Sequence, residues 1–191
     1  MSSLPQPFIT PEEYLEAERQ AEFRSEYLDG QVYSMAGTSR VHNRITKNIW
    51  DSLDDQLVVG PCEVFAIDLK VRVATAGPYF YPDLVVVCGD PQMQDPHDDV
   101  IVNPKVVIEI LSPSTESYDR GKKFQAYARH GSLSAYVLVA QDHIQVDLYL
   151  RQPNGHWDFT SISDADGVVE ILTIGVRLKI ADIYYRVKFD T

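Results

Sequence analysis

Two short runs of this chain are continuously apolar and rich in β-branched residues, yet each contains one carboxylate. Asp83 lies in the run at residues 81–87, and Glu109 lies in the run at residues 106–111. Runs of this composition are typical of strands that are covered on both faces. A carboxylate there loses its hydration, which is unfavourable unless something positive meets it. We therefore expect a covered sheet with a cation close to these two acids.

The periodicity of the chain predicts an α/β protein, with helices packed against a mixed α+β sheet. The core is predicted in the order helix, three strands, helix, strand. The helices are predicted from Thr10 to about residue 20, after Thr38 or Ser39, and at residues 118–130 with Gly131 as the terminating glycine. The strands are predicted at residues 63–73, 81–87, 106–111 and 135–140.

Two hairpins and a short tail complete the predicted elements. The first hairpin turns at Asp29 and Gly30, a pair favoured in tight two-residue turns. An additional hairpin towards the C-terminus spans residues 144–162, where apolar and polar residues alternate. The tail at residues 168–189 offers short strands and a helical turn at 180–184.

The bulk properties are those of an ordinary globular protein. With 191 residues, we expect a single domain over residues 1–191. No apolar run approaches the ~20 residues of a membrane span, and the N-terminus lacks the features of a signal peptide. Cys62 and Cys88 form no CxxC pair, so we expect free buried thiols in a reducing cytoplasm, with a disulfide as the alternative.

The net charge limits how the chain can bind nucleic acid. It is −11, from 17 Lys and Arg against 28 Asp and Glu. Non-specific affinity for nucleic acid comes mostly from Lys and Arg contacts to phosphate. An acidic protein therefore needs a local basic cleft, or metal ions that neutralise its site.

Asp83 and Glu109 are the first candidates for chemistry. If their strands are neighbours, the two carboxylates lie a few ångströms apart and offer oxygen ligands suited to Mg²⁺ or Mn²⁺. Lys122 and Lys123 follow at a helix start, where the helix macrodipole disfavours cations unless an acidic site or phosphate is close. This combination suits the cleavage of a phosphodiester. The alternatives are a solvent-exposed strand end for Asp83 and a solvated helix start for the lysines.

An ordered set of short motifs runs through most of the chain. It comprises Glu26-Tyr27-Leu28-Asp29-Gly30, Pro82-Asp83, Glu109-Ile110-Leu111-Ser112-Pro113-Ser114-Thr115, and Tyr118-Asp119-Arg120-Gly121-Lys122-Lys123-Phe124 with Tyr127. Each motif is a weak signal alone, whereas their order is specific. From about Thr10 to about Phe189, the chain resembles a large bacterial family of restriction-endonuclease-like proteins within the PD-(D/E)XK nuclease superfamily.

The resemblance implies a restriction-endonuclease-like core in which Asp83 and Glu109 are metal ligands. The backbone carbonyl of Ile110 is a further ligand candidate. Glu26 matches a glutamate that the superfamily often carries beside the site, and an exposed hairpin charge is the other interpretation of this residue.

The chain departs from the superfamily pattern at one position. The lysine expected two residues after the glutamate is Leu111 here. In the family that this chain resembles, the lysine has moved to the next helix, which points to Lys123, with Lys122 as the alternative. Asp68 is a further carboxylate candidate or an exposed acid, and His42 either approaches the site or is a structural histidine.

These residues support two hypotheses of different classes. The first is a metal-dependent endonuclease that hydrolyses DNA, with Asp83, Glu109, Lys123 and Glu26 as catalytic residues and Mg²⁺ or Mn²⁺ as cofactor. The second is a catalytically silent binding or scaffold protein with the nuclease fold, in a mobile-element or defence system, which the acidic net charge favours. The apolar residues of the 144–162 hairpin predict a homodimer, unless that hairpin packs entirely on its own sheet.

Overall fold

The computed structural model describes residues 8–35, 37–66, 68–75 and 77–189. In chain order, its strands are β1 Ser25–Leu28, β2 Gln31–Ser34, β3 Cys62–Ala66, β4 Lys70–Arg72, β5 Tyr79–Phe80, β6 Leu84–Cys88, β7 Val100–Ile101, β8 Val106–Leu111, β9 Ala135–Ala140, β10 Val146–Arg151, β11 Trp157–Ile162, β12 Val168–Ile171 and β13 Val176–Lys179. Its helices are α1 Pro11–Glu18, α2 Arg40–Leu57, α3 Glu116–Tyr118, α4 Phe124–Tyr127 and α5 Ile180–Ile183, and a π-helical turn, Asp119–Lys123, joins α3 to α4. None of the helices in these ranges combines the length and the apolar character needed to cross a membrane.

A six-stranded mixed sheet forms the centre of the fold, in the order β11-β10-β9-β8-β6-β3. Strands β8 and β9 are parallel, and the other neighbours are antiparallel. On one face, Ile45, Ile49 and Leu53 of α2 form a fully buried stripe at every fourth residue, in one apolar cluster with the strands. On the other face, Tyr127 of α4 and Phe80 of β5 belong to a second apolar cluster. The sheet is therefore covered on both faces, as its apolar strands predict.

Two smaller sheets flank the central one. A five-stranded sheet has the order β2-β1-β5-β4-β7, and β12 pairs with β13. The first sheet holds the predicted hairpin, in which Asp29 and Gly30 both have positive φ, at 50° and 79°. Such a turn matches the right-handed twist of the flanking strands.

The capping signals in the sequence place the first two helices. Thr10 and Glu13 form a reciprocal capping box at the start of α1, and the Ser39 side chain accepts a hydrogen bond from the His42 N–H at the start of α2. The 144–162 hairpin is also present, as β10 paired with β11.

Three predicted elements are wrong in their extent. The strand predicted at residues 63–73 is two strands in different sheets, because Asp68 adopts a left-handed φ of 79° between them. Strand β6 begins only after Asp83, so the predicted 81–87 strand is shorter at its start. The helix predicted at residues 118–130 begins earlier, contains the π-helical turn and ends at Tyr127. Gly131 does not adopt the positive φ expected of a helix-terminating glycine.

The expectation of free thiols is also wrong. Cys62 and Cys88 are joined by a disulfide. They lie directly opposite each other at the ends of β3 and β6, so the strand register itself brings the two sulfur atoms together.

Candidate active site

Asp83 and Glu109 face the same side of the central sheet. Leu84 of β6 pairs with Ile108 of β8 in antiparallel register, so Asp83, one residue earlier, lies opposite Glu109. Opposite side chains of an antiparallel pair lie on the same face, with Cβ atoms roughly 5 Å apart. Asp83 Oδ2 also accepts a hydrogen bond from the Ile110 N–H at 2.7 Å, which fixes the carboxylate beside Glu109.

His42 of α2 contacts the other oxygen of Asp83. Its Nε2 lies 3.2 Å from Asp83 Oδ1, and the His42 side chain is 11% exposed. The Thr46 hydroxyl donates to the His42 carbonyl at 2.9 Å. Both oxygens of Asp83 are therefore held by fixed groups, one on the sheet and one on α2.

Lys123 lies at the centre of three buried carboxylates. Its Nζ is 2.8 Å from Glu109 Oε1, 2.9 Å from Glu26 Oε1 and 3.5 Å from Asp119 Oδ1. The four side chains are only 5–7% exposed. Glu26 Oε1 also accepts a hydrogen bond from the Tyr81 N–H at 3.0 Å, which ties β1 to the chain just before Asp83.

The π-helical turn determines which lysine reaches this cluster. Lys123 is buried and Lys122 is exposed. Asp119 lies four residues before Lys123, so both side chains project from the same face of the turn. The Tyr136 hydroxyl donates to the Asp119 carbonyl at 3.1 Å and anchors the start of the turn on β9.

Burial dominates the electrostatics of the cluster. It raises the pKa of Glu109 well above its usual value, with Lys123 opposing this and Asp119, Asp83 and Glu26 adding to it. Burial likewise raises the pKa of Glu26 and of Asp119, and in both cases Lys123 opposes it. Burial alone would lower the pKa of Lys123, but the surrounding carboxylates outweigh it and raise that pKa well above its usual value. The cluster therefore holds a charged lysine and an excess of carboxylates.

Oxygen donors for a metal ion are present in this cluster. The Oε1 atom of Glu109 is fully buried. It forms an ion pair with the Lys123 ammonium at 2.8 Å but accepts no hydrogen bond of regular geometry. Asp83 lies beside it, and each carboxylate oxygen has spare lone pairs. Within the described part of the chain, no group of three or more His, Cys, Asp or Glu side chains has a metal-binding arrangement. Mg²⁺ is commonly bound by one or two carboxylates with water and substrate phosphate, and these two oxygen donors fit that pattern.

A cleft of ≈ 590 Å³ opens onto the cluster. Its lining includes every site residue that the sequence predicts, namely Glu26, Asp83, Glu109, Ile110 and Lys123. His42 and Asp119 line it as well. The side chains of Tyr33 and Tyr118 contact each other with ring centroids 5.5 Å apart and planes tilted by 37°, and they form an aromatic wall of the cleft.

Two candidates lie elsewhere. Lys122 is absent from the lining of the cleft, and Asp68 is exposed and pairs with Arg24. Sequence reasoning missed Asp119, whose signal was its position four residues before Lys123. It also gave His42 too little weight, because nothing in the sequence places α2 beside Asp83.

The architecture and the cleft define a mixed α/β protein with a buried carboxylate–lysine cluster beside the inner strands β6 and β8 of its central sheet. A family model described as "Putative restriction endonuclease", that of the Uma2 family, matches residues 11–181. The chain therefore belongs to the Uma2 family, which confirms the resemblance seen in its motifs.

Relatives and a solved structure agree with this assignment. "Uncharacterized protein slr1290" of Synechocystis sp. is 37% identical, over 96% of this chain and 95% of its own length. "Uncharacterized protein sll1609" of the same organism is 31% identical, over 85% of this chain and 92% of its own length. The crystal structure of "a putative nuclease belonging to DUF820" from Anabaena variabilis is similar with a TM-score of 0.76 and 20% identity, covering 92% of this chain and 97% of that one. This last match shows a shared fold.

Proposed function

We propose that this protein is a metal-dependent endonuclease that hydrolyses DNA phosphodiester bonds. The observation that carries the proposal is the convergence of Asp83, Glu109 and Lys123 in one cleft. Membership of the Uma2 family, described as "Putative restriction endonuclease", supports it. On this proposal, α2, the strands β3, β6 and β8, the α3–α4 segment and β9 form a restriction-endonuclease-like core of the PD-(D/E)XK superfamily.

Asp83 and Glu109 would hold Mg²⁺ or Mn²⁺, with the Ile110 carbonyl as a further oxygen ligand. A bound divalent ion supplies polarisation of the phosphate and a water of lowered pKa. It would also balance the excess of carboxylates around Lys123. The hydrogen bond from the Ile110 N–H and the contact with His42 keep Asp83 in one orientation, as a preorganised site requires.

Lys123 would stabilise negative charge on the phosphate and orient the attacking water. An ammonium held in a dry site stabilises developing charge more than one in bulk water, because its dipolar surroundings do not have to reorganise. Glu26 and Asp119 position this ammonium independently of Glu109, since each contacts Nζ itself. Glu26 is thus a positioning residue as well as part of the cluster.

Cleavage of plasmid and oligonucleotide DNA by the purified protein in Mg²⁺ or Mn²⁺ tests the proposal. We expect Asp83→Ala and Lys123→Ala each to lower the cleavage rate about 10²–10³-fold. Lys122→Ala is the matched control for Lys123→Ala, because the exposed lysine next to it should be dispensable. Cleavage that survives Asp83→Ala would reject the assignment.

The stability of each variant must be measured alongside its activity. Lys123→Ala leaves three buried carboxylates without their cation, which is expected to lower the melting temperature. Lys123→Arg keeps the charge but moves the donors, so loss of cleavage in a folded Lys123→Arg protein separates catalysis from stability. If the folded wild-type protein cuts no DNA and calorimetry detects no Mg²⁺ or Mn²⁺ binding, the scaffold function, which the net charge of −11 favours, replaces the nuclease.

A further inference from the structure

The cleft adjoins two smaller cavities that contain cations. A cavity of ≈ 350 Å³ shares Thr38 and Ser39 with the cleft and is lined by Arg40, Arg44 and Lys47. A cavity of ≈ 160 Å³ shares His42 and Asp83 with the cleft and is lined by Arg24 and by its ion-pair partner Asp68. The two cavities also share Thr38 and Asn43, so the cations of both lie on one side of the cleft, beside the N-terminal half of α2.

The charges of α2 run against its macrodipole. Its N-terminal half carries Arg40, Arg44 and Lys47, with no acidic residue in the first turn. Its C-terminal half carries Asp51, Asp54 and Asp55, with no basic residue in the last turn. Cations are unfavourable at a helix N-terminus unless an anion binds there. On a chain of net charge −11, this local basic surface is the kind of feature that phosphate binding requires.

These cations are available to an external anion. Among the residues that the structure describes, no carboxylate forms an ion pair with Arg40 or Arg44. Lys47 pairs with Asp51 and Arg24 pairs with Asp68, and the side chains of both pairs are 44–59% exposed. Exposed ion pairs of this kind contribute little to stability and exchange readily with other partners.

We propose that the DNA strand cut in the cleft continues past it along the N-terminal half of α2. Its phosphates beyond the cleft bind Arg40 and Arg44 at one cavity and Arg24 at the adjoining one. This inference rests on the proposed nuclease function and deepens it, because these contacts require a substrate several nucleotides long rather than a single nucleotide. Arg24, Arg40 and Arg44 also supply the local basic surface that the acidic chain as a whole lacks.

We call Arg24, Arg40 and Arg44 the phosphate track. Fluorescence anisotropy with a labelled 20-nucleotide DNA, single-stranded and as a duplex, tests this track. Wild-type protein in EDTA is compared with Arg40→Ala/Arg44→Ala and with Arg24→Ala. We expect each variant to bind about tenfold or more weakly, and the slope of log affinity against log salt to fall by about one per cation removed. The matched control is Arg129→Ala/Lys179→Ala, which removes two exposed cations that line none of the three cavities.

The outcomes separate this proposal from the nuclease assignment, because binding in EDTA does not depend on cleavage. Three results would overturn the track even if the protein cuts DNA. They are unchanged DNA affinity in either variant set, an equal loss of affinity in the control, and no binding by the wild-type protein at low salt. Binding of an RNA of the same sequence without binding of DNA would overturn its assignment to DNA. Weakened binding in both variant sets supports the track even if Mg²⁺ and Mn²⁺ give no cleavage.

Discussion

Lys123 shares its ammonium among Glu26, Glu109 and Asp119, and this sharing reduces the cost of burying the three acids. Each carboxylate alone would be costly to bury, and one lysine cannot neutralise three of them. Burial raises the pKa of all three carboxyls, and Lys123 offsets only part of this rise. A bound cation would favour their ionised forms.

The sequence identified part of this cluster, for a physical reason. Asp83 and Glu109 stood out because apolar neighbours make a carboxylate anomalous. Asp119 did not stand out, because an acid at a helix start is ordinary. Lys123 could be separated from Lys122 only by the helical geometry, since adjacent residues differ in direction by about 100°.

A half-buried charge network around Asp99 allows a prediction on pH dependence. Asp99 accepts hydrogen bonds from Arg19 at 2.7 and 3.1 Å and from Lys70 at 2.9 Å. Arg19 lowers the pKa of Asp99 to about 2, although burial opposes this. Because the folded pKa lies below the unfolded value, the stabilisation is present above about pH 4 and is lost as the pH falls through about 2.

We predict that Asp99→Asn lowers the free energy of unfolding by about 2 kcal/mol at pH 6. The difference from wild type should shrink as the pH falls below 4. Urea denaturation between pH 6 and pH 3 measures it. Asp98→Asn is the control, because Asp98 is exposed and Asn tolerates its left-handed backbone, with φ of 58°. A constant difference at all pH values would contradict the ionic origin.

At the scale of elements, regular periodicity was predictable and interruptions of it were not. The stripe of α2, strands β8 and β9, and the β10–β11 hairpin each follow a sustained pattern. The π-helical turn inserts one extra residue into a helix whose apolar spacing gives no sign of it. The break after β3 depends on a left-handed Asp68, which sequence patterns do not distinguish from an extended residue.

Two glycines allow a matched test of these elements. Gly121 lies in the π-helical turn without a positive φ, and a Cβ added there meets nothing within 4 Å. We predict that Gly121→Ala raises the free energy of unfolding by about 0.4–1 kcal/mol, because it restricts the unfolded chain. Gly30→Ala should lower it instead, since Gly30 has a φ of +79° and its added Cβ would clash with Phe8.

Thermal and urea denaturation of the two variants checks this prediction. Destabilisation by Gly121→Ala would mean that the turn needs glycine for a reason other than backbone freedom, for example close approach of a substrate. Cleavage assays on the same protein would then show whether that reason belongs to the site.

At the scale of the molecule, the central layer was predictable because its strands are apolar and its helices are capped. The five-stranded sheet was not, since β4, β5 and β7 have only two or three residues each. These strands are too short to show a period, and their pairing is a tertiary effect. This sheet nevertheless carries Glu26 into the cluster on its predicted β1–β2 hairpin, so the site depends on a sheet of which the sequence revealed only that hairpin.

The assembly of two chains is the last prediction. Strand β11 is an edge of the six-stranded sheet, so its outer backbone groups are free to pair with another strand. Phe159, on this strand, is 55% exposed and contacts the Tyr149 ring with centroids 5.0 Å apart. The hairpin thus packs on its own sheet through β10, while β11 is an open edge that carries one exposed aromatic, Phe159.

We predict a homodimer formed by antiparallel pairing of two β11 strands, which would present two clefts to the two strands of a duplex. Light scattering at micromolar concentration should give twice 21.6 kDa, about 43 kDa. Phe159→Glu should yield the monomer, because a charge on an edge strand opposes pairing. Phe23→Glu, at a still more exposed aromatic outside the strand, should leave the dimer intact. A wild-type mass of 21.6 kDa would reject the dimer, and nicking of one strand at a time would then be the expected activity.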